Sequence, residues 1–229
     1  MEIVTDKSFK YNLKRLDLKT EEFKFIKEFF DLTIDPAHGF KNVFQIKDFR
    51  IYKVLENSPR KTEDKKSNNL MLLHGTKKEN ATGILKTGFR NSESGWFGKG
   101  VYMTDCSYTA QDYSIDYSAD NLGGTRFFNY VFVNEVLESE KLQIHTYDGD
   151  IFEMDEDNTA ELTHPFQKHV RPHSLQPTER DYKEDILGRK YRNKKIGSNL
   201  LDEFVADEKI TIPRYLIALE TEVKDLSQD

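Results

Sequence analysis

The sequence predicts an α+β domain of mostly antiparallel strands with few short helices and no Rossmann unit. Three observations carry that expectation. Apolar runs of strand length recur at NLMLLHGT, GKGVYMTD, FFNYVFVNEVL, FVAD and YLIALETEV, whereas helical periodicity is confined to short stretches. The strands mostly lack the intervening helices of βαβ spacing, which argues against a doubly wound sheet. The glycine cluster Gly95-Trp96-Phe97-Gly98-Lys99-Gly100 precedes a strand rather than a helix and has no Ser or Thr after Lys99. It is therefore neither a Walker A loop nor a dinucleotide fingerprint.

Each element has its own local warrant. Thr20-Glu21-Glu22 opens a short helix that places Phe23, Ile26 and Phe30 on one face. Residues 43–55 alternate as a strand, but the phase slips near Asp48, since Phe44 and Ile46 are even and Phe49 and Ile51 odd. A bulge there accounts for the slip. NSPRKTEDKKSNN (57–69) reads as a polar linker. NLMLLHGT then reads as a buried strand ending at His74-Gly75. Thr76-Lys77-Lys78-Glu79 has the spacing of a capping box, Ile84 and Leu85 are apolar helix positions, and Gly88 suits the residue after the helix. GKGVYMTD is a second strand, after which Asp105 or Ser107 caps a helix reaching about Tyr117. FFNYVFVNEVL (127–137) is a long strand, and FVAD and YLIALETEV are two more, separated by a turn containing Pro213. The acidic stretch 148–161 and the basic stretch 180–195 read as solvated loops.

Composition sets the outer bounds. The chain has 229 residues, 37% hydrophobic, enough for one domain with a real core. A net charge of −6 gives no general attraction to nucleic acid or an anionic membrane. No apolar run approaches ~18 residues, so no membrane span is expected. The first residues carry charge where a signal peptide needs an apolar stretch. With one cysteine, Cys106, an intrachain disulfide is excluded, and six scattered His make a structural zinc site improbable, so no metal is expected. The chain reads as intracellular, in cytoplasm or nucleus.

The residues with chemical potential gather at two strand ends. His74 and Gly75 stand on one and Tyr102 on the other. Tyr102, Tyr108, Tyr113 and Tyr117 offer π surfaces to a flat ligand. Thr109 and Tyr113, four apart, share a helix face and pair a hydroxyl with a ring. Gly75 has no side chain to keep a carboxamide from its N–H and C=O. Taken singly, each of these residues also suits an ordinary structural role.

Together they resemble a family. LMLLHGTKKENATGILKTGFR, WFGKGVYMTD and SYTAQDY resemble, in order and spacing, the catalytic domain of the poly(ADP-ribose) polymerases, and in outline that of diphtheria toxin. The likeness is most specific over 70–113, moderate over 43–137, weak over 138–197, and returns over 198–219. It implies an ADP-ribosyltransferase fold of mostly antiparallel split sheets, with residues 1–56 as an N-terminal helix and strand packed on the domain. Residues 57–69 would then be a linker or loop and 70–229 the rest of a single domain. Within it, 70–117 would be the NAD⁺-binding core and 198–223 the catalytic strand region.

The resemblance also implies roles. His74 and Tyr102 match the first two members of the family's His-Tyr-Glu triad, so the His would bond a ribose hydroxyl of NAD⁺ and the Tyr would line the nicotinamide site. Gly75 would hold the carboxamide, Thr109 would supply the helix hydroxyl that also bonds it, and Tyr113 would stack on the ring. A strictly ungapped match to some members puts Ala110 in place of Thr109. For the carboxylate, LLDEFVADEKITIPRYLI resembles the family's last motif. Counting back from Tyr215 without gaps reaches Asp202, and one deletion reaches Glu203, which residue type and the following strand favour.

The implied reaction is cleavage of the nicotinamide–ribose bond of NAD⁺ and transfer of ADP-ribose to a protein acceptor, this chain included, with chain elongation permitted if Glu203 is the carboxylate. NAD⁺ is then a substrate. The stretch before the second strand is short, which implies a more open pocket than in larger members. The first ~65 residues are too few for the helical regulatory domain of DNA-dependent members, so no direct DNA binding is expected. Two alternatives stay open: a non-enzymatic module that binds NAD⁺ or ADP-ribose, and an NAD-dependent RNA 2′-phosphotransferase, whose family also uses a His-Gly-Thr segment.

Overall fold

A computed structural model of the chain describes residues 13–32, 44–55, 69–93, 95, 97–114, 126–137, 139, 141–148, 182–184, 190–192 and 200–223. In chain order these form β1 (Leu13–Arg15), α1 (Glu21–Leu32), β2 (Phe44–Val54), β3 (Asn69–Thr76), α2 (Lys78–Thr87), β4 (Val101–Thr104), α3 (Ser107–Asp112), β5 (Arg126–Leu137), β6 (Leu142–Asp148), β7 (Tyr182–Glu184), β8 (Lys190–Arg192), β9 (Leu200–Ala206) and β10 (Thr211–Val223).

The strands lie in the order β1-β2-β10-β5-β3-β4-β9-β6, and every neighbouring pair along that path is antiparallel. The β3–β4 junction is a single residue pair, Leu73 with Thr104. The architecture is therefore α+β, one ten-stranded and mostly antiparallel sheet that narrows to this single pair where His74 follows Leu73.

The central strands are buried on both faces, which is why they read as continuous apolar runs. Met71 and Leu73 of β3, Val131 and Val133 of β5, and Ile217 and Leu219 of β10 pack with Phe23, Ile26, Phe29 and Phe30 of α1 and with Ala110 of α3. On the opposite face Leu70, Leu72, Phe132, Leu216 and Ala218 pack with Ala81 and Leu85 of α2 and with Phe89. Each fully buried Phe or Ile on α1 contributes about 1.5–3 kcal/mol before chain entropy is counted. The helix starts where expected: Thr20 Oγ1 accepts the Phe23 N–H at 3.2 Å.

The expected bulge in β2 is present. Asp48 pairs with Glu220 and Ile46 with Thr221, so Lys47 is the extra residue. Four local expectations need correction. Thr76 does not cap α2; it completes β3 as a buried residue, and the helix starts from Lys77 without a side-chain cap. Neither Asp105 nor Ser107 caps α3, which starts after Cys106 and ends at Asp112, well short of Tyr117. Pro213 lies inside β10, opposite Asn134 at a register shift that leaves Arg214 unmatched with β5. A proline is tolerated at such an irregularity because no ladder donor is needed there. The turn itself is a 3₁₀ turn, Glu208–Ile210, started by Asp207, whose carboxylate accepts the Lys209 N–H at 2.7 Å. The basic stretch contributes strands β7 and β8, and Lys190 of β8 pairs in parallel with Leu70. Most of the acidic stretch, the linker at 57–68 and Tyr117 lie outside the described residues.

Candidate active site

β3 ends at a backbone junction that only glycine fits. A Cβ on Gly75 would lie 1.6 Å from the carbonyl oxygen of Ala110. The short helix α3 therefore sits directly on the strand end, with Ala110 buried in the α1-side core.

One residue earlier, His74 points to the other face, where its ring meets Phe89 edge-on at 5.1 Å. Phe89 in turn packs edge-on against Phe132 at 5.8 Å. Nδ1 of His74 lies 2.7 Å from the carbonyl oxygen of Tyr102. A carbonyl only accepts, so Nδ1 carries the hydrogen and donates it. Burial lowers the His74 pKa from its ordinary 6.5, more than the bond to the Tyr102 carbonyl raises it. The neutral ring then carries its lone pair on Nε2, and the residue remains partly exposed. The geometry presents a fixed acceptor suited to a hydrogen bond from a hydroxyl.

Tyr102 joins this histidine to a loop. Its hydroxyl accepts the Phe97 N–H at 2.9 Å and donates to the Gly98 carbonyl at 2.7 Å. The glycine cluster follows from that contact. A Cβ on Gly95 would lie 2.1 Å from the Tyr102 hydroxyl oxygen, and Gly98 has φ +98°, a region that favours glycine. The Gly98 N–H closes on the Gly95 carbonyl at 3.1 Å, and Ser92 and Gly100 exchange both backbone bonds at the stem. Below the stem, the Asn91 N–H meets the Glu208 carboxylate, and the Glu208 N–H meets the Asn91 side-chain oxygen, each at 2.9 Å. The segment is thus a pinned loop fastened to the β9–β10 turn.

Of the α3 residues, Ala110 is the one seated on Gly75. Thr109 lies one place along and is partly buried. Tyr113, at the C-terminal end, is 62% exposed, and its N–H bonds the Thr109 carbonyl at 3.1 Å. The side chain of Tyr108 lies outside the described part of the structure.

The same is true of the side chains of Asp202 and Glu203, although their backbones are placed. Glu203 pairs with Thr104 on one side and His145 on the other, while Asp202 pairs with Thr146 alone. The row Leu73–Thr104–Glu203 brings all three motifs to one level of the sheet. Three contributors were not singled out from the sequence: Phe89 behind His74, the Tyr102 hydroxyl as a loop anchor, and the Asn91–Glu208 pair. Only the glycine spacing of the loop carried a sequence signal for any of them.

The model of the poly(ADP-ribose) polymerase catalytic domain matches residues 20–221. The chain belongs to this family. Its members are ADP-ribosyltransferases, and NAD⁺ is their substrate. One relative, the poly [ADP-ribose] polymerase 1 of Gallus gallus, is 30% identical over 118 residues, covering 49% of this chain. The match spans 12% of that relative's length, so it reaches one portion of a much longer protein. The family assignment agrees with the α+β fold, in which no βαβ dinucleotide unit occurs among the described strands. No helix among the described residues is long and apolar enough to cross a membrane.

Proposed function

We propose that this poly(ADP-ribose) polymerase family domain is an active transferase that breaks the nicotinamide–ribose bond of NAD⁺ and passes ADP-ribose to a protein acceptor. The observation that carries the reading is the locked histidine: Nδ1 of His74 is committed to the Tyr102 carbonyl, leaving Nε2 as an acceptor beside the Gly75 strand end. A cofactor laid across the end of β3 would meet His74 on one side and α3 on the other. His74 would accept a ribose hydroxyl and orient the sugar, a contribution of positioning rather than proton transfer. Gly75 would offer its backbone to the carboxamide, and the exposed ring of Tyr113 would stack on the nicotinamide, with the Tyr102 ring lining the site and Thr109 supplying a hydroxyl.

The chemistry calls for a carboxylate. As the C1′–N bond breaks, its electron pair leaves with nicotinamide and positive charge grows on the ribose, as in glycoside hydrolysis. An acceptor oxygen then bonds C1′ from the opposite side and loses its proton, if it has one, to water or a nearby base. Glu203 would hold the adjacent ribose hydroxyl more tightly as that charge grows, which lowers the barrier. It would also polarise an incoming hydroxyl, which permits elongation of the first unit. Its register position opposite Thr104, two residues after Tyr102, supports this over Asp202.

A second reading, a non-enzymatic module that binds NAD⁺ or ADP-ribose, has one observation in its favour. The α3 residue seated on Gly75 is Ala110, which has no hydroxyl to bond a carboxamide. The family match counts against the RNA 2′-phosphotransferase. We further place the protein in cytoplasm or nucleus, supported by a lone Cys106 that is buried and unpaired. The deciding experiment is incubation with labelled NAD⁺, the domain and a candidate acceptor, followed by gel separation. A smear indicates polymer and a sharp band a single transfer. Bound NAD⁺ with no label transferred and no nicotinamide released favours the module.

A further inference from the structure

Beneath the end of α3, two polar residues interrupt an apolar surface of the sheet. On the α1-side face, β5 presents Val131 and Val133, and β10 presents Ile217 and Leu219. The next positions in the same phase are Asn129 and Thr221, 1% and 2% exposed. Asparagine in a fully buried strand position costs desolvation unless every polar atom finds a partner. Here each does. The Thr221 hydroxyl donates to Asn129 Oδ1 at 2.9 Å. Asn129 Nδ2 donates to the Ser114 hydroxyl oxygen at 2.8 Å and to the Gln111 carbonyl at 3.2 Å. The Ser114 hydroxyl donates to that same carbonyl at 2.5 Å.

Tyr113 lies between the two residues so fastened. The helix it ends has six residues and no side-chain cap at its start, too short to hold its own geometry. Its middle is seated by Ala110 on Gly75; its C-terminal end is tied down by Asn129. We propose that Asn129 is a positioning residue for Tyr113, fixing the exposed ring at the angle that receives a flat amide-bearing ring. The proposal rests on Tyr113 being the stacking residue of the transferase site.

The test is a double-mutant cycle read by calorimetric binding of benzamide, a nicotinamide-like probe, to the full chain. Asn129→Leu keeps the side-chain size and removes the ties. It is expected to weaken benzamide by about three- to tenfold, the span of one aromatic contact. In the Tyr113→Ala background the same change should have no further effect, because Asn129 acts through that ring. Ser114→Ala cuts the tie from the helix side with little risk to folding and should weaken benzamide in the same direction. Amide hydrogen exchange at Tyr113 and Ser114 should quicken in both variants while β5 amides keep their protection. Unchanged affinity in a folded Asn129→Leu or Ser114→Ala variant overturns the proposal, as does an equal loss with and without the Tyr113 ring. If the unaltered chain does not bind benzamide, the nicotinamide-site reading fails by itself. The exchange data then decide the tether: selective loss of protection at Tyr113 and Ser114 upholds it, and unchanged protection overturns it.

Discussion

Gly75→Ala inserts one methyl group at the tightest backbone contact of the site. The new Cβ would lie 1.6, 2.6 and 3.1 Å from the carbonyl oxygen, carbonyl carbon and Cα of Ala110. All three belong to one backbone unit, so no side-chain rotation relieves the clash. Ordinary contact begins at 3.4 Å, so strand and helix must separate by about 1.8 Å. Overpacking of this kind costs about 1–3 kcal/mol. For a chain of this size that lowers the melting temperature by roughly 2–12 °C. The functional loss should be larger, because misplacing a binding group by ~1 Å costs about 10²-fold, and α3 holds Thr109 and leads into Tyr113, the two groups proposed to meet nicotinamide. Gly83→Ala is the matched control. Nothing lies within 4 Å of that Cβ, and the residue is inside α2, so the change should stabilise by about 0.5–1 kcal/mol. The assays are thermal unfolding and nicotinamide release from NAD⁺ for both variants. If Gly75→Ala matched the parent in both, α3 would not be seated on the strand end and the site built here would be wrong.

Tyr102→Phe keeps the ring but removes both bonds to the loop, so stability should fall by about 1–2 kcal/mol. Amide exchange at Phe97 should quicken at the same time, and unchanged protection there would mean the hydroxyl does not pin the loop. The lowered pKa of His74 sets a pH signature. Above the ordinary value of 6.5 both folded and unfolded states are neutral at this residue, and its stability term is fully present. As pH falls below 6.5 the unfolded chain takes up a proton that the folded ring refuses, so stability declines until the folded ring itself protonates. Denaturant midpoints between about pH 5 and 8 should fall more steeply on the acid side for the parent than for His74→Gln. Parallel curves would refute the neutral, Nδ1-protonated ring.

Much of this was legible because it rests on local pattern. The central strands announced themselves as apolar runs, since they are buried on both faces, and the phase slip in 43–55 located a bulge within one residue. Cap chemistry misled at both helices of the site. Thr76 has the right spacing for a cap, but pairing with Tyr130 of β5 keeps it in the strand. Ser107 is buried, and Cys106 takes the extended geometry before the helix. Strands β7 and β8 were hidden because three residues carry too little periodicity to be read, and charged composition dominates them. The contacts that build the site are long-range: the Tyr102 carbonyl at His74, the Ala110 carbonyl at Gly75, Glu208 at Asn91. Sequence spacing names the residue types but says nothing of which backbone atom arrives beside them. The buried Asn129 and Thr221 were not singled out from the sequence, because only the packed α3 gives them a role.

The central claim, a carboxylate-assisted transferase, is tested most directly by the rate of nicotinamide release from NAD⁺ in Glu203→Gln beside Asp202→Asn. Glu203→Gln keeps the shape and removes the charge. Release should fall by at least ~10²-fold, the usual loss for one transition-state contact. NAD⁺ affinity should change far less, because the positive charge exists only at the transition state. Asp202→Asn should be mild, since neighbouring strand residues face opposite sides of the sheet. A severe loss in Asp202→Asn with Glu203→Gln near parental rate would move the carboxylate by one residue. Parental release in both variants would contradict the account.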